Sequence, residues 1–236
     1  MVKELKKRII TSVLLFLLAI FCIFTNFFIL ALLLISFVIF LEISGMINRI
    51  VGNPWKKDRV NLKNVAFNTI ALFYIFFIFM PSAAGLQGGA GPVFFLYVLS
   101  ICICSDIGGY IIGRTIGGKK LIKISPNKTI SGSIGSFCFS ILPLLLFYNF
   151  DPSKYLYSTN NFLLCLEISL VCQLGDLFIS YIKRKAKVKD TGKILPGHGG
   201  ILDRVDGMIF AITFVFVHLN SFSEYVEIWR ATFSRL

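Results

Sequence analysis

VFFLYVLSICICSDIGGYII, residues 93–112, is a run of twenty residues in which Asp106 is the only charge. A bilayer core about 30 Å thick takes roughly 17 to 25 helical residues to cross. The run does not alternate as a barrel strand would, so a helix is the conformation that satisfies its backbone in lipid. Further stretches of similar character run from Ile9 to Thr25, Phe27 to Ile47, Val65 to Met80, Ser133 to Phe150, Phe162 to Ile182 and Val205 to Leu219. The expected fold is an all-α polytopic membrane protein with about seven transmembrane helices. N-terminal transmembrane helices occupy residues 1–92, a core with two polar segments spans 93–219, and 220–236 form a tail.

Composition agrees. The 236 residues are 56% hydrophobic and 15% charged, against about 25% charged in ordinary soluble domains. The six Cys all lie in apolar runs, where Cys behaves as a small hydrophobe. Cys102 and Cys104 lack zinc-ligand spacing and a nearby His, and no disulfide framework is expected. Lys3, Lys6, Lys7 and Arg8 ahead of an apolar run resemble a signal peptide. No small-residue cleavage site follows, and a second run begins near Asn26, so a first span is the better reading.

A formal charge of +12 raises the question of a nucleic-acid partner. The position of the charge answers it. All Lys and Arg except Lys154, Arg230 and Arg235 fall before the first span or in the second, fourth and sixth loops. By the positive-inside rule those segments and the N-terminus are cytoplasmic and the C-terminal tail lies outside. The basic residues then serve orientation and anionic lipid in part, and no nucleic acid is expected.

Carboxylates inside spans cost about 2.5 to 3.5 kcal/mol on insertion scales and mark functional sites by default. Asp106 and Asp176 each sit seven or eight residues before a basic boundary, roughly 10 to 12 Å deep at the helical rise. Asp203 and Asp206 open the last span on one helical face. Three helices thus bring acids to one side at similar depth, an arrangement suited to Mg²⁺ shared with substrate phosphates. The alternative, in which each Asp pairs with an Arg or caps a helix, accounts for one such acid more easily than for four. Glu42 and Glu167 also lie in apolar runs, but no motif surrounds them and they read as interface residues.

Two polar segments accompany these acids. The first is SDIGGYIIGRTIGGKK (105–120) followed by ISPNKTISGSIG (124–135). Its Ser125-to-Thr129 part places a turn, an ammonium and hydroxyls before a span whose N-terminus favours anions. The second runs from QLGD (173–176) through Ser180, Lys183, Arg184, Lys189 and Asp190 to LPGHGGILDRVDG (195–207). The glycines around His198 prescribe a tight turn beside acids and bases.

This second run resembles the signature of phosphatidate cytidylyltransferases (CDP-diacylglycerol synthases), carried by Ser180, Lys183, Arg184, Lys189, Asp190, Pro196 to Gly200, Asp203, Arg204 and Asp206. Asp106, Gly108, Tyr110, Ser125, Pro126, Lys128 and Thr129 are similar to the family's upstream elements. The likeness covers roughly 100–207. Ser131, commonly Glu or Gln in the family, and Ile107, often Thr or Ser, depart from it. The resemblance implies transfer of CMP from CTP to phosphatidate at the cytoplasmic side of a bilayer. Asp176, Lys183, Arg184, Lys189, Asp190, His198, Asp203, Arg204 and Asp206 would be catalytic, with Asp176, Asp203 and Asp206 ligating Mg²⁺ and possible room for a second cation. Asp106, Tyr110, Arg114, Ser125, Lys128, Thr129, Ser180, Gly199 and Gly200 would bind substrate. It further implies a homodimer and, with this composition, a multi-pass protein of a bacterial inner membrane.

Two other classes compete. A CTP-dependent polyprenol or lipid kinase would need a similar membrane site, but the complete run from Lys189 to Asp206 argues against it. A transporter would place its acids near the midplane in repeated halves, and no internal repeat is visible.

Overall fold

The computed structural model describes residues 17–56, 59–89, 91–122, 125–147, 159–195 and 199–221, and most of them are helical. The helices are α1 (Phe28–Val51), α2 (Leu62–Phe73), α3 (Met80–Gly89), α4 (Pro92–Thr115), α5 (Ile130–Phe139), α6 (Leu142–Leu146), α7 (Thr159–Lys185) and α8 (Leu202–Ser221). A π-helical stretch, Tyr74–Phe79, joins α2 to α3 directly ahead of Pro81, which has no N–H to donate. Two antiparallel hairpins interrupt the helices, β1 (Trp55–Lys56) with β2 (Arg59–Val60), and β3 (Lys120–Ile122) with β4 (Ser125–Thr129). The sequence reading held no strands. Both hairpins lie in the basic loops between helices.

Among the described residues, four helices are long and apolar enough to cross a membrane: Phe28–Val51, Leu62–Gln87, Pro92–Thr115 and Asn161–Lys185. Lipid-facing character is visible on α1, where Leu30, Leu34, Phe37 and Leu41 form one exposed apolar stripe. The expected span Ser133 to Phe150 is instead two helices. Pro143 cannot donate, and its ring opposes the carbonyl four residues back, at Phe139, where α5 ends. The expected last span corresponds to α8, whose first turns carry Asp203, Arg204 and Asp206 and leave a shorter apolar part. Of the expected first span, residues 17–23 are helical and the part before residue 17 lies outside the described residues.

The chain forms two compact units. Met1–Pro81 and Ile182–Val205 make the first. Its α1 to α2 corner is built by asparagines that answer the otherwise open C-terminal carbonyls of α1. Asn64, almost fully buried, donates to Asn48 Oδ1 at 2.7 Å and to Gly52 O at 2.6 Å. Asn61 donates to Val51 O at 3.0 Å and caps α2 by accepting from Asn64 N–H.

Ser82–Tyr181 and Asp206–Leu236 make the second unit. Its core includes Phe94, Tyr97, Val98, Ile101 and Cys102 of α4, all without solvent exposure. A ladder of side chains ties α4, α5 and α7 together: Ser133 Oγ donates to Gln173 Oε1 at 2.6 Å, Gln173 Nε2 to Ser169 Oγ at 3.3 Å, and Ser169 shares a 2.8 Å bond with Ser105. Such bonds between membrane helices contribute about 0.6 kcal/mol each. Close approach of α4 to α5 requires Gly135, where an added Cβ would run into Ile112 and the Gly108 carbonyl.

Gly135→Ala should therefore push α4 and α5 apart and cost about 1–3 kcal/mol, read as a lower thermal midpoint of the detergent-purified protein. Gly45→Ala on α1, where a Cβ meets nothing within 4 Å, should leave the midpoint in place.

Candidate functional site

Chemistry-bearing side chains gather in each unit. In the second, β4 delivers Lys128 to Asp176 of α7, and the two form an ion pair. Ser180, one turn on, donates to Asp176 Oδ1 at 3.3 Å. Asp106 of α4 lies within electrostatic range of both Asp176 and Lys128. Asp206 of α8, like Asp106, lies within range of Cys172 on α7. The approach of α8 to α7 depends on Gly207, since a Cβ there would strike the Cys172 carbonyl and sulfur. One cation and three carboxylates from four elements thus share this unit.

Several expected substrate-binding residues serve local structure here. Thr129 caps α5, its hydroxyl accepting from Gly132 N–H at 3.0 Å. Ser125 pairs with Ile122 in the hairpin, so Ser125 to Thr129 is a strand rather than a turn. Arg114 donates to the Tyr110 hydroxyl at 2.6 Å along the exposed end of α4. Ser131 donates to the Gly117 carbonyl and contacts Thr129, so this departure from the family pattern closes the hairpin onto α5. Ile107 is simply exposed.

In the first unit the segment from Lys183 to Asp203 is organised by two carboxylates. Asp203 Oδ1 accepts from the Lys183 ammonium at 3.0 Å, and Oδ2 from Thr191 N–H at 2.8 Å and Gly200 N–H at 2.9 Å. Burial would by itself raise the Asp203 pKa; the bonds from Gly200, Lys183 and Thr191 outweigh it and hold the carboxyl below the ordinary aspartate range. Glu42 of α1 is the second carboxylate. Only 6% exposed, it accepts from Ile201 N–H at 3.0 Å and Leu202 N–H at 2.9 Å, closing off the first amides of α8. The Thr191 hydroxyl lies between Glu42 Oε2 at 2.7 Å and Asp203 Oδ2 at 3.0 Å, and its one proton serves one of them at a time. Gly200 has no room for a side chain, since a Cβ would meet Thr191 and both Glu42 oxygens. Gly199 has φ 85° and lies against Asp190 and Asp203.

The sequence reading passed over Glu42, which turns out to be the anchor of the loop. The signal was there, a carboxylate in an apolar run, but its partners stand 149 to 160 residues away. Arg184, Lys189 and Arg204 are exposed. His198, with Pro196 and Gly197, lies outside the described residues.

Among the described residues no three acids, histidines or cysteines come together as a ready metal site. Oxygen donors suit Mg²⁺; Asp176, Asp206 and Asp106 carry them in the second unit without forming such a group. Asp203 has both oxygens taken by Lys183, Thr191 and Gly200, and is free for a metal only with Lys183 moved aside.

Two expectations follow. Glu42→Gln leaves two amides competing for one acceptor and should weaken the loop by about 1–3 kcal/mol, seen as faster hydrogen exchange at Ile201 and Leu202. Because the folded pKa of Asp203 lies below its unfolded value near 3.9, its stabilisation is complete above that value and disappears as pH falls through the lower, folded one. Protease resistance of the loop should be flat from pH 8 to about pH 4 and fall below it, and Asp203→Asn should abolish that fall.

Comparison with known proteins bears on the family. The chain is 39% identical over 165 residues to the phosphatidate cytidylyltransferase of Staphylococcus aureus (strain COL), covering 66% of this chain and 59% of the relative. It is 40% identical over 161 residues to that of Staphylococcus haemolyticus, with the same coverage. To that of Helicobacter pylori (strain J99) it is 37% identical over 149 residues, 63% of this chain and 53% of the relative. The chain therefore spans less than two thirds of the length of the curated relatives it matches. The cytidylyltransferase family matches residues 6–222, which contain every carboxylate and lysine of the two clusters just described, and the chain belongs to that family.

Proposed function

We propose that this membrane protein is a nucleotidyltransferase that moves CMP from CTP to phosphatidate, releasing pyrophosphate and forming CDP-diacylglycerol. The observation that carries the reading is the loop from Lys183 to Asp203, fastened on Asp203 and Glu42 so that its basic residues stand at the end of a membrane helix. The names of the relatives supply the substrates, and their bacterial sources support a bacterial cytoplasmic membrane as the location. The loop charges support seven spans, a cytoplasmic N-terminus and a cytoplasmic reaction. A homodimer is the assembly we propose.

The chemistry asks for positioning and charge neutralisation more than for a base. The phosphatidate phosphate is ionised at neutral pH, so an oxygen of it attacks the α-phosphorus of CTP directly. A new P–O bond forms, the bond from the α-phosphorus to the bridging oxygen breaks, and that electron pair leaves with pyrophosphate. Mg²⁺, when bound, would neutralise phosphate charge; in the second unit Asp176, Asp206 and Asp106 are the carboxylates proposed for it, and in the first unit Asp203, once Lys183 moves aside. Lys128 and Lys183, now paired with Asp176 and Asp203, exchange those partners for phosphate oxygens. Arg184, Lys189 and Arg204 are exposed and add cations for the same anions. Glu42 touches no reacting atom in this scheme; it positions the loop.

The test is a reaction of purified protein with labelled CTP and phosphatidate. Mg²⁺-dependent CDP-diacylglycerol is expected, and Asp176→Asn should lower the rate by about 10²-fold or more. No product from the folded wild type, or full activity in Asp176→Asn, overturns the assignment.

A further inference from the structure

Within the first unit, a cavity of about 530 Å³ opens between the C-terminal half of α1 and the segment after α7, within the roughly 300–1,000 Å³ of small-molecule sites. Glu42, Gly45, Met46 and Arg49 line the α1 side at intervals of three and four, so they share one helical face. Lys187, Lys189, Asp190 and Lys193 line the other side.

The charge balance of this cavity is cationic in a specific way. Glu42, at its base, is already answered by the Ile201 and Leu202 amides and the Thr191 hydroxyl. Asp190 is the other carboxylate on its walls, against Arg49, Lys187, Lys189 and Lys193. Among the described residues none of these four cations is ion-paired. Four cations against one carboxylate not already answered leave a positive concavity, which focuses potential on an anion.

A second observation concerns the backbone. α7 ends with Lys187 N–H bonded to Arg184 O at 3.1 Å and Val188 N–H to Lys183 O at 3.0 Å. That closure places the residue at 187 in the left-handed region, where glycine is the relaxed choice. Lys187 holds φ 56° there, the one described non-glycine residue with positive φ. Backbone strain of this sort is held by its surroundings and clusters at ligand sites, and this residue lines the cavity. Gly45 opposite leaves the α1 wall open, with nothing within 4 Å of an added Cβ.

We propose that this cavity is a binding site for a phosphate-bearing ligand, with Arg49 and Lys187 as its anchors and Gly45 as the opening that admits it. Two sources share that chemistry, the polyphosphate of a nucleotide with its pyrophosphate product, and the headgroup phosphate of a lipid. The proposal rests on the nucleotidyltransferase reading and refines it, since Arg49, Lys187 and Gly45 are not among the residues that carry the signature.

The experiment uses the full chain in detergent and four variants, Lys187→Gly, Arg49→Gln, the double variant of these two, and Gly45→Leu. Lys187→Gly removes the charge while relaxing the turn, so its thermal midpoint should equal or exceed that of the wild type. Calorimetric titration with pyrophosphate and with CTP, and binding to phosphatidylcholine vesicles carrying phosphatidate, are read for each protein. The Lys187→Gly, Arg49→Gln double variant should lose about tenfold in affinity for pyrophosphate and CTP if the nucleotide occupies the cavity, or for phosphatidate vesicles if the lipid does, and Gly45→Leu should follow it. A wild type that binds none of the probes, or folded variants that bind all of them like the wild type, overturns the site. Turnover separates the two readings. Variant-sensitive binding without CDP-diacylglycerol formation by the wild type keeps the site and removes the reaction; formation with unchanged binding and unchanged KM for CTP in the variants removes only the site.

Discussion

A carboxylate buried in a membrane helix must find donors, and Glu42 finds them on a segment from the other end of the chain. Its two oxygens take the Ile201 and Leu202 amides and reach the Thr191 hydroxyl. That single group fixes the entry of α8 and the path of the loop before it. Asp203 then completes the loop by gathering Lys183, Thr191 and Gly200. Without the first anchor, the second would hold a loop with no fixed place on α1.

The two carboxylates differ in what they hold. Glu42 faces mainly neutral backbone amides, whereas Asp203 also binds an ammonium. A charged partner makes a stronger hydrogen bond than a neutral one, but it is also one that another anion can take. The ion pairs of Lys183 with Asp203 and Lys128 with Asp176 are therefore exchangeable parts of otherwise rigid surroundings, the property a site for phosphates needs.

Much of this was legible in the sequence where the physics is local. The apolar run around Asp106 announces a membrane helix by itself, and four of the expected spans are helices of sufficient length. The gathering of Asp106, Lys128 and Asp176 follows from acids and bases placed at similar depth. Pro143 was also readable: it lies inside an expected span and its ring forbids the turn that would have continued past Phe139. The hairpin of β3 and β4 was not, because Ser125 to Thr129 has no apolar alternation. Nor was the work of Glu42, since hydrogen bonds spanning 160 residues leave no trace in local spacing.

That separation also has a consequence for how the protein is made. α1 enters the bilayer early, carrying a carboxylate whose partners have not yet been synthesised. At about 5–20 residues per second, the 160 residues between Glu42 and Leu202 take roughly ten to thirty seconds to appear. During that interval Glu42 needs other donors, from water or from the insertion machinery. The arrival of Ile201 and Leu202 is then the event that lets α1 settle, so a segment made late completes the membrane placement of one made early.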